Sequence, residues 1–434
     1  MPITTDSKTR KGRPQAGAAR DDSATSTTDS TTGSTIETTT DGATETRPMG
    51  LVRLLDETGV RHDVPEYDRW LTDLDGDEGD DLLLRLYQDM VVVRRIDTEG
   101  TALQRQGQLA IWPPLRGQEA AQIGSGHALR QDDFVFSSYR EHGVALVRGV
   151  QPVQMLPVWR GSKGSGWDPY AVNMATMQVI IGAQALHGVG YAVGIQADAE
   201  RGVLRGVEND MPAAEREGTA AAVSYFGDGA MSQGDVNEAF IFGATWNAPV
   251  VFFCQNNQWA ISEPVALQSR VPLAQRAAGF GMAGVRVDGN DVLAVLAVTR
   301  EALHRARTGG GPTLIEAVTY RMGPHTTADD PTRYRDAAEV EAWAQRDPIT
   351  RFEAWLRERG TLTDEAEERV RAEADRVATE LRAGCFAIED PPALSIFDHV
   401  YAEPHTTVQA ERDAYEQYLA GFADADGTQN GGAR

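Results

Sequence analysis

The chain has 434 residues, with 41 Lys plus Arg against 64 Asp plus Glu, a net charge of −23, and 41% hydrophobic residues. At about 150 residues per domain the length implies two or three domains. The negative charge repels phosphate backbones and excludes sequence-independent nucleic-acid binding. No apolar run reaches the ~18–20 residues of a membrane span. The two cysteines, Cys254 and Cys385, are far apart and form no CxxC pair, which excludes a disulfide framework or a cysteine-rich zinc site and fits a reducing, cytoplasmic compartment. Only three residues are lysines, Lys8, Lys11 and Lys163. Lys163 lies in Arg160-Gly-Ser-Lys-Gly-Ser-Gly, whose spacing is wrong for a phosphate-binding Walker loop. It is also the sole lysine outside the low-complexity tail, so P-loop and Schiff-base chemistries fit poorly.

Residues 1–47 are rich in Ser, Thr, Gly and Asp, with almost no large apolar side chains. Such a segment cannot bury enough surface to offset its ordering entropy, and the expectation is a disordered tail. Residues 48–81 form an N-terminal extension that ends in an acidic turn region, Asp73 to Asp81. From Leu82 to Gln104, Leu83, Leu86, Met90 and Val93 recur at helical spacing and predict a helix. Residues 201–218 read as a polar insertion.

Strands and helices then alternate. Ala220 to Phe226 is a short apolar run ending in Gly227-Asp228-Gly229. Ser232 to Asn247 is helical, with Val236, Ala239, Phe240, Gly243 and Ala244 on one face. Pro249 to Phe253 is a second strand, ending in Gln255-Asn256-Asn257. Another unit starts at Val285, with a helix from Val292 to Arg307 and a strand from Thr313 to Tyr320. This alternation predicts an α/β fold with a doubly wound parallel sheet over residues 82–350. Residues 351–434 read as a helical C-terminal extension. Within it, Thr363 to Arg382 is charged and amphipathic and reads as a solvated helix, and the aromatic-bearing stretch 394–419 reads as a segment that docks onto a neighbour.

The strongest chemical signal is Gly227-Asp228-Gly229 followed, one helix later, by Asn256-Asn257. A right-handed strand–helix–strand crossover makes the two strands close neighbours, and open parallel sheets bind ligands at the carboxyl ends of their strands. A carboxylate and an amide oxygen placed there form a hard-oxygen partial ligand set of the kind Mg²⁺ takes, completed by phosphate oxygens. The glycines let a backbone approach a diphosphate, and the following helix turns its N-terminus to the anion. Asp and Asn are also ordinary turn formers at strand ends; it is their pairing across two strands that favours the ligand reading. A second constellation is Tyr320-Arg-Met-Gly-Pro-His325-Thr-Thr, a loop with one histidine leaving a strand; for a lone histidine a structural hydrogen bond is the plain alternative. A third is Phe136-Ser-Ser-Tyr139-Arg140-Glu-His142, where the arginine is able to grip a phosphate bidentately or to form a surface ion pair.

The stretch Gly227-Asp-Gly-Ala230-Met-Ser-Gln-Gly-Asp-Val-Asn-Glu through Gln255-Asn-Asn-Gln-Trp-Ala-Ile-Ser resembles the thiamine-diphosphate motif of the 2-oxo acid dehydrogenase E1 component, alpha subunit. The resemblance runs from about Leu83 to Pro348 and weakly beyond. It implies the thiamine-diphosphate-binding type of fold, with thiamine diphosphate and Mg²⁺ as cofactors. It implies Mg²⁺ ligands at Asp228, Asn257 and the Trp259 carbonyl, where the family usually has tyrosine. It places the Tyr139-Arg140 pair and the Gly227–Ala230 turn on the diphosphate, and Ile181 beneath the bent cofactor; ordinary core packing is the alternative for Ile181. His325 matches the family's active-site histidine and is the expected catalytic and cofactor-contacting side chain. Pro324 stands where many members have a second histidine, and Thr326 where mitochondrial members carry a phosphorylated serine. Arg116-Gly-Gln-Glu119-Ala-Ala matches a family stretch near the active-site entrance.

The resemblance further implies that the glutamate acting on the cofactor's aminopyrimidine comes from a beta subunit, giving an α2β2 heterotetramer. The implied activity is oxidative decarboxylation of pyruvate or a branched-chain 2-oxo acid, with acyl transfer to the lipoyl domain of an E2 acyltransferase. An acetoin dehydrogenase alpha subunit and a non-catalytic scaffold subunit are the alternatives; the intact Asp228 and Asn257 pair disfavours the scaffold.

Overall fold

A strand that is apolar on both sides needs cover on both faces, and the central runs obtain it. The computed structural model describes residues 49–162, 165–203 and 218–426. The tail expected at 1–47, and residues 204–217 of the insertion expected at 201–218, lie outside the described residues. β1 (Phe134–Phe136), β2 (Ala222–Gly227) and β3 (Val250–Asn256) come first along the chain, followed by the short hairpin strands β4 (Trp259–Ala260) and β5 (Glu263–Pro264), then β6 (Ala283–Asp288) and β7 (Thr313–Val318). Five of these form one sheet in the order β1-β2-β3-β7-β6, every pair parallel. The two strands carrying the Gly-Asp-Gly and Asn-Asn ends pair directly, from Ala222 opposite Val250 to Gly227 opposite Gln255.

Alternate side chains of these strands enter two different cores, as the pleat requires. Val223, Tyr225, Val251, Phe253 and Ile315 belong to one, and Phe226, Val250, Phe252, Cys254 and Leu314 to the other. The first core is closed by the Val292–Arg307 and Glu119–His127 helices, the second by Ala183–Glu200 and Gly234–Thr245. The sheet is therefore wound on both faces, as expected. Asp291 caps the Val292–Arg307 helix, one oxygen accepting the Leu293 and Ala294 N–H groups at 3.1 Å. Its other oxygen takes the N–H groups of Leu54 and Leu55 at 2.6 Å, which ties the N-terminal extension to the sheet.

Two expectations are corrected. The acidic stretch Asp73–Asp81 is not a turn throughout: the first long helix runs Gly76–Arg105, with Asp77 and Glu78 in its first turn. Acidic residues stabilise that end against the helix dipole, so the charges that resembled a turn begin the helix. The helix expected at Thr363–Arg382 spans Asp364–Ala387, capped by Thr363, and is not merely solvated. Val370, Ala374, Ala378 and Leu381 are buried along it, the last three at i, i+4 and i+7 spacing, and it packs along Gly76–Arg105. Beyond it, a short turn at Ala393–Phe397 and the Thr406–Asp426 helix pack on each other, joined by Arg412 and Asp398 at 2.6 Å. No helix among the described residues is long and apolar enough to cross a membrane.

Candidate active site

Four loops leave the carboxyl ends of β1, β2, β3 and β7 and surround one cavity of about 500 Å³. Tyr139, Arg140, Ile181, Gly227, Asp228, Gly229, Ala230, Asn257, Trp259 and His325 all line it. A second cavity of about 540 Å³, beside Trp70 and Arg286 at the outer strand β6, holds none of them.

Asp228 begins the helical turn after β2 and is 1% exposed. Its Oδ2 accepts the Gln268 amide at 2.9 Å. Burial pushes its carboxyl up to about 6, against the opposing effects of that hydrogen bond and of the Arg321 charge. Gly229 has to be glycine: a Cβ there would lie 2.7 Å from the Cβ of Ala260 on β4. Asn257 donates through Nδ2 to Gln118 Oε1 at 3.1 Å, so its Oδ1 faces the Trp259 N–H, 3.3 Å away. The Trp259 carbonyl accepts Arg321 Nη1 at 2.8 Å; a carbonyl has two lone pairs, and one remains for a cation. Ile181 is not core: it is 41% exposed, beside the still more exposed Val179 and Ile180.

The basic side of the cavity is a triad of Arg140, Arg321 and His325. Arg140 donates from Nη1 to the Pro114 carbonyl and from Nη2 to the His325 carbonyl at 2.9 Å. The same Nη2 lies 3.2 Å from His325 Nδ1, and Arg321 Nη1 lies 3.4 Å from it. Two donors facing Nδ1 make it an acceptor, which places the proton of the neutral ring on Nε2. Burial, then the charges of Arg140 and Arg321, pull the imidazole down to about 3. The Tyr139 ring lies 5.5 Å from the Arg140 guanidinium, near enough for a cation–π contact.

Arg321 lies in the same loop motif as His325, and the sequence alone points to no role for it. It is fully buried, with Nη2 bonded to the Ile261 carbonyl at 2.7 Å and the Tyr334 hydroxyl at 3.1 Å. Burial and Arg140 pull it down to about 10. A buried chain of polar side chains behind the cavity was also missed. Gln122 Nε2 donates to Gln255 Oε1 at 3.0 Å, and Gln255 Nε2 donates to Glu141 Oε1 at 2.6 Å. Burial pushes Glu141 up to about 7. The available signal was position: Gln255 is the first polar side chain at the carboxyl end of β3, and Arg321 lies three residues beyond the carboxyl end of β7.

Residues 87–382 match the family described as "Dehydrogenase E1 component". The 3-methyl-2-oxobutanoate dehydrogenase subunit alpha of Mycobacterium tuberculosis (strain ATCC 25618 / H37Rv) is 48% identical over 336 residues, 77% of this chain and 87% of that one. The pyruvate dehydrogenase E1 component subunit alpha of Staphylococcus aureus (strain COL) is 36% identical over 371 residues, 85% of this chain and 93% of its own. That of Staphylococcus epidermidis (strain ATCC 12228 / FDA PCI 1200) is 36% identical over 372 residues, with the same coverage of 85% and 93%. With the match spanning the whole sheet and all four loops of the cavity, the chain belongs to the dehydrogenase E1 component family.

Proposed function

We propose that this chain is the alpha subunit of a 2-oxo acid dehydrogenase, binding thiamine diphosphate and Mg²⁺ and working with a beta subunit and a lipoyl-bearing E2. The observation that carries the reading is the pairing, in one cavity, of the Asp228, Asn257 and Trp259 oxygens with the Arg140–Arg321–His325 cluster. The residues fit the absent groups. Asp228 is a buried carboxyl bonded by an amide and raised toward neutrality, the state of a hard-oxygen ligand without its cation. The Arg321 Nε–H is buried with no protein partner among the described residues, a donor left for an anion.

When bound, thiamine diphosphate supplies the nucleophilic carbon and the electron sink for decarboxylation of a 2-oxo acid. Asp228, Asn257 and the Trp259 carbonyl hold the metal, and Arg140, with Tyr139 beside it, holds the diphosphate. Ile181 offers an apolar surface at the rim. Burial is the larger cause of the depressed His325, and an anion against Arg140 and Arg321 offsets the charges that add to it, which shifts the imidazole back toward carrying a proton. His325 Nε2 then holds or delivers a proton to the reacting groups. Residues 82–350 form the cofactor-binding unit, and the extension after 350 meets the partner subunit.

The higher identity to the 3-methyl-2-oxobutanoate relative supports a branched-chain substrate over pyruvate. The test is co-expression with the beta partner and a panel of 2-oxo acids. The expected result is no decarboxylation by the chain alone and activity on mixing, greatest with 3-methyl-2-oxobutanoate. Substantial activity without the beta chain would overturn the two-subunit reading, and a preference for pyruvate would overturn the substrate.

A further inference from the structure

Asp97 is the one carboxylate in the last three turns of the Gly76–Arg105 helix that points inward rather than to an arginine, and it is 4% exposed. Its Oδ1 accepts the Trp112 indole N–H at 2.8 Å and the Leu115 N–H at 3.1 Å; its Oδ2 accepts the Arg116 N–H at 3.1 Å. Three donors from five consecutive residues converge on this one side chain, which fixes the 112–116 loop at both ends.

The indole lies flat between the helix and His142. On one side a Cβ at Gly100 would come within 2.4 Å of the ring, so only glycine admits it. On the other, the His142 ring stacks at 4.5 Å and 14°. Trp112 is fully buried. Its backbone then reaches the catalytic loop: the Trp112 N–H donates to Thr327 Oγ1 at 3.0 Å, and the Thr327 N–H donates to the Trp112 carbonyl at 2.9 Å. Thr327 is two residues beyond His325. Two residues after Trp112, the Pro114 carbonyl accepts Arg140 Nη1, whose other terminal nitrogen faces His325 Nδ1. Two of the contacts that orient the imidazole, the hydrogen bonds to its own loop and the Arg140 guanidinium beside it, thus pass through a loop held by Asp97; the third, Arg321, comes from β7's own loop.

We propose that Asp97 is a positioning residue for His325, acting through the indole of Trp112 and the two backbone–Thr327 hydrogen bonds. The proposal rests on the proton-carrying role given above to His325. A displacement of about 1 Å in a reacting group is able to cost 10²-fold in rate, so the connection is worth testing as a rate effect. Asp97→Asn keeps an oxygen for the indole but turns an amide N–H toward a backbone N–H. Thr327→Val removes only the hydroxyl that accepts the Trp112 N–H, on a half-buried side chain.

The experiment measures kcat of the alpha–beta complex with an artificial electron acceptor, at saturating thiamine diphosphate and Mg²⁺. The variants are Asp97→Asn, Thr327→Val and Thr327→Ser, each alone and combined with His325→Ala. The expected result is a loss of about 10-fold or more in kcat for Asp97→Asn and Thr327→Val, near-wild-type kcat for Thr327→Ser, and little further loss when either damaging change is added to His325→Ala. An equal loss in both backgrounds would show that Asp97 acts on something other than the imidazole and would overturn the assignment. If Asp97→Asn does not fold, the Thr327 pair reads the same connection from its other end. Full activity of His325→Ala would sink the histidine's role, and the positioning role with it. Wild-type kcat in Asp97→Asn beside an inactive His325→Ala would sink the positioning role alone.

Discussion

Replacing Asp228 by asparagine should stabilise the metal-free protein and abolish what the metal does for it. The side chain is 1% exposed and is bonded by a neutral amide, and its pKa rises from 3.8 to about 6. At about 1.4 kcal/mol per pH unit, ionising it in the folded, metal-free state costs about 3 kcal/mol. Asparagine keeps the shape and an acceptor for Gln268 but carries no charge. Between pH 3.8 and about 6 the folded wild type binds more protons than the unfolded chain, so its stability falls as pH rises through that window. The gap in favour of Asp228→Asn therefore opens from about pH 4 to 6 and is full above it. Mg²⁺ with thiamine diphosphate should reverse the order: under the proposed ligand assignment, a thousandfold excess over Kd should add about 4 kcal/mol to the wild type and nothing to the variant. The assay is thermal unfolding of the alpha–beta complex at pH 5 and pH 7.5, with and without the pair of ligands. A metal-free variant that melts below the wild type at pH 7.5 would refute the burial argument. A variant that keeps the Mg²⁺-dependent shift would refute the ligand assignment.

His325→Ala should fold normally, since the loop is half-buried, and lower turnover by roughly 10²–10⁴-fold. Acyl transfer to a lipoyl domain should suffer at least as much as decarboxylation; full rates in both assays would remove the imidazole from the mechanism. Gly229→Ala forces a Cβ to 2.7 Å from Ala260, which displaces β4 and with it the Trp259 carbonyl, so the half-saturating thiamine diphosphate concentration should rise by at least tenfold while the far-ultraviolet spectrum is unchanged. An unaltered cofactor titration would show that the turn yields elsewhere. Leu381→Ala, at 1% exposure between the Asp364–Ala387 and Gly76–Arg105 helices, should cost about 2–5 kcal/mol in denaturant unfolding. A loss under 0.5 kcal/mol, the ordinary size for an exposed site, would restore the solvated-helix reading.

What the sequence determined by itself was local. Short, largely apolar runs bounded by turn residues read as buried strands, and β2, β3 and β7 fall where those runs are. The Val292–Arg307 helix carries its apolar face within its own residues and its cap, Asp291, in the residue just before them. Carboxyl ends of parallel strands meet in one place whatever the loops do, so Asp228 and Asn257 were legible as one site before any contact was known. Elements whose stability comes from neighbours were not legible. β1 is three residues long and exists only because Phe134–Phe136 pairs with Ala222–Ser224; no period is visible in three residues. The Ala183–Glu200 helix is almost evenly apolar and small, and its amphipathicity appears only against the sheet it covers. The charges of the active site were decided at longer range still. His325 is held neutral by burial and then by Arg140, 185 residues away in the chain, and Asp97 reaches the same loop through Trp112. Electrostatic energies depend on distance and burial in space, and neither is written in sequence order; only the folded chain brings two guanidiniums within 3.4 Å of one ring nitrogen.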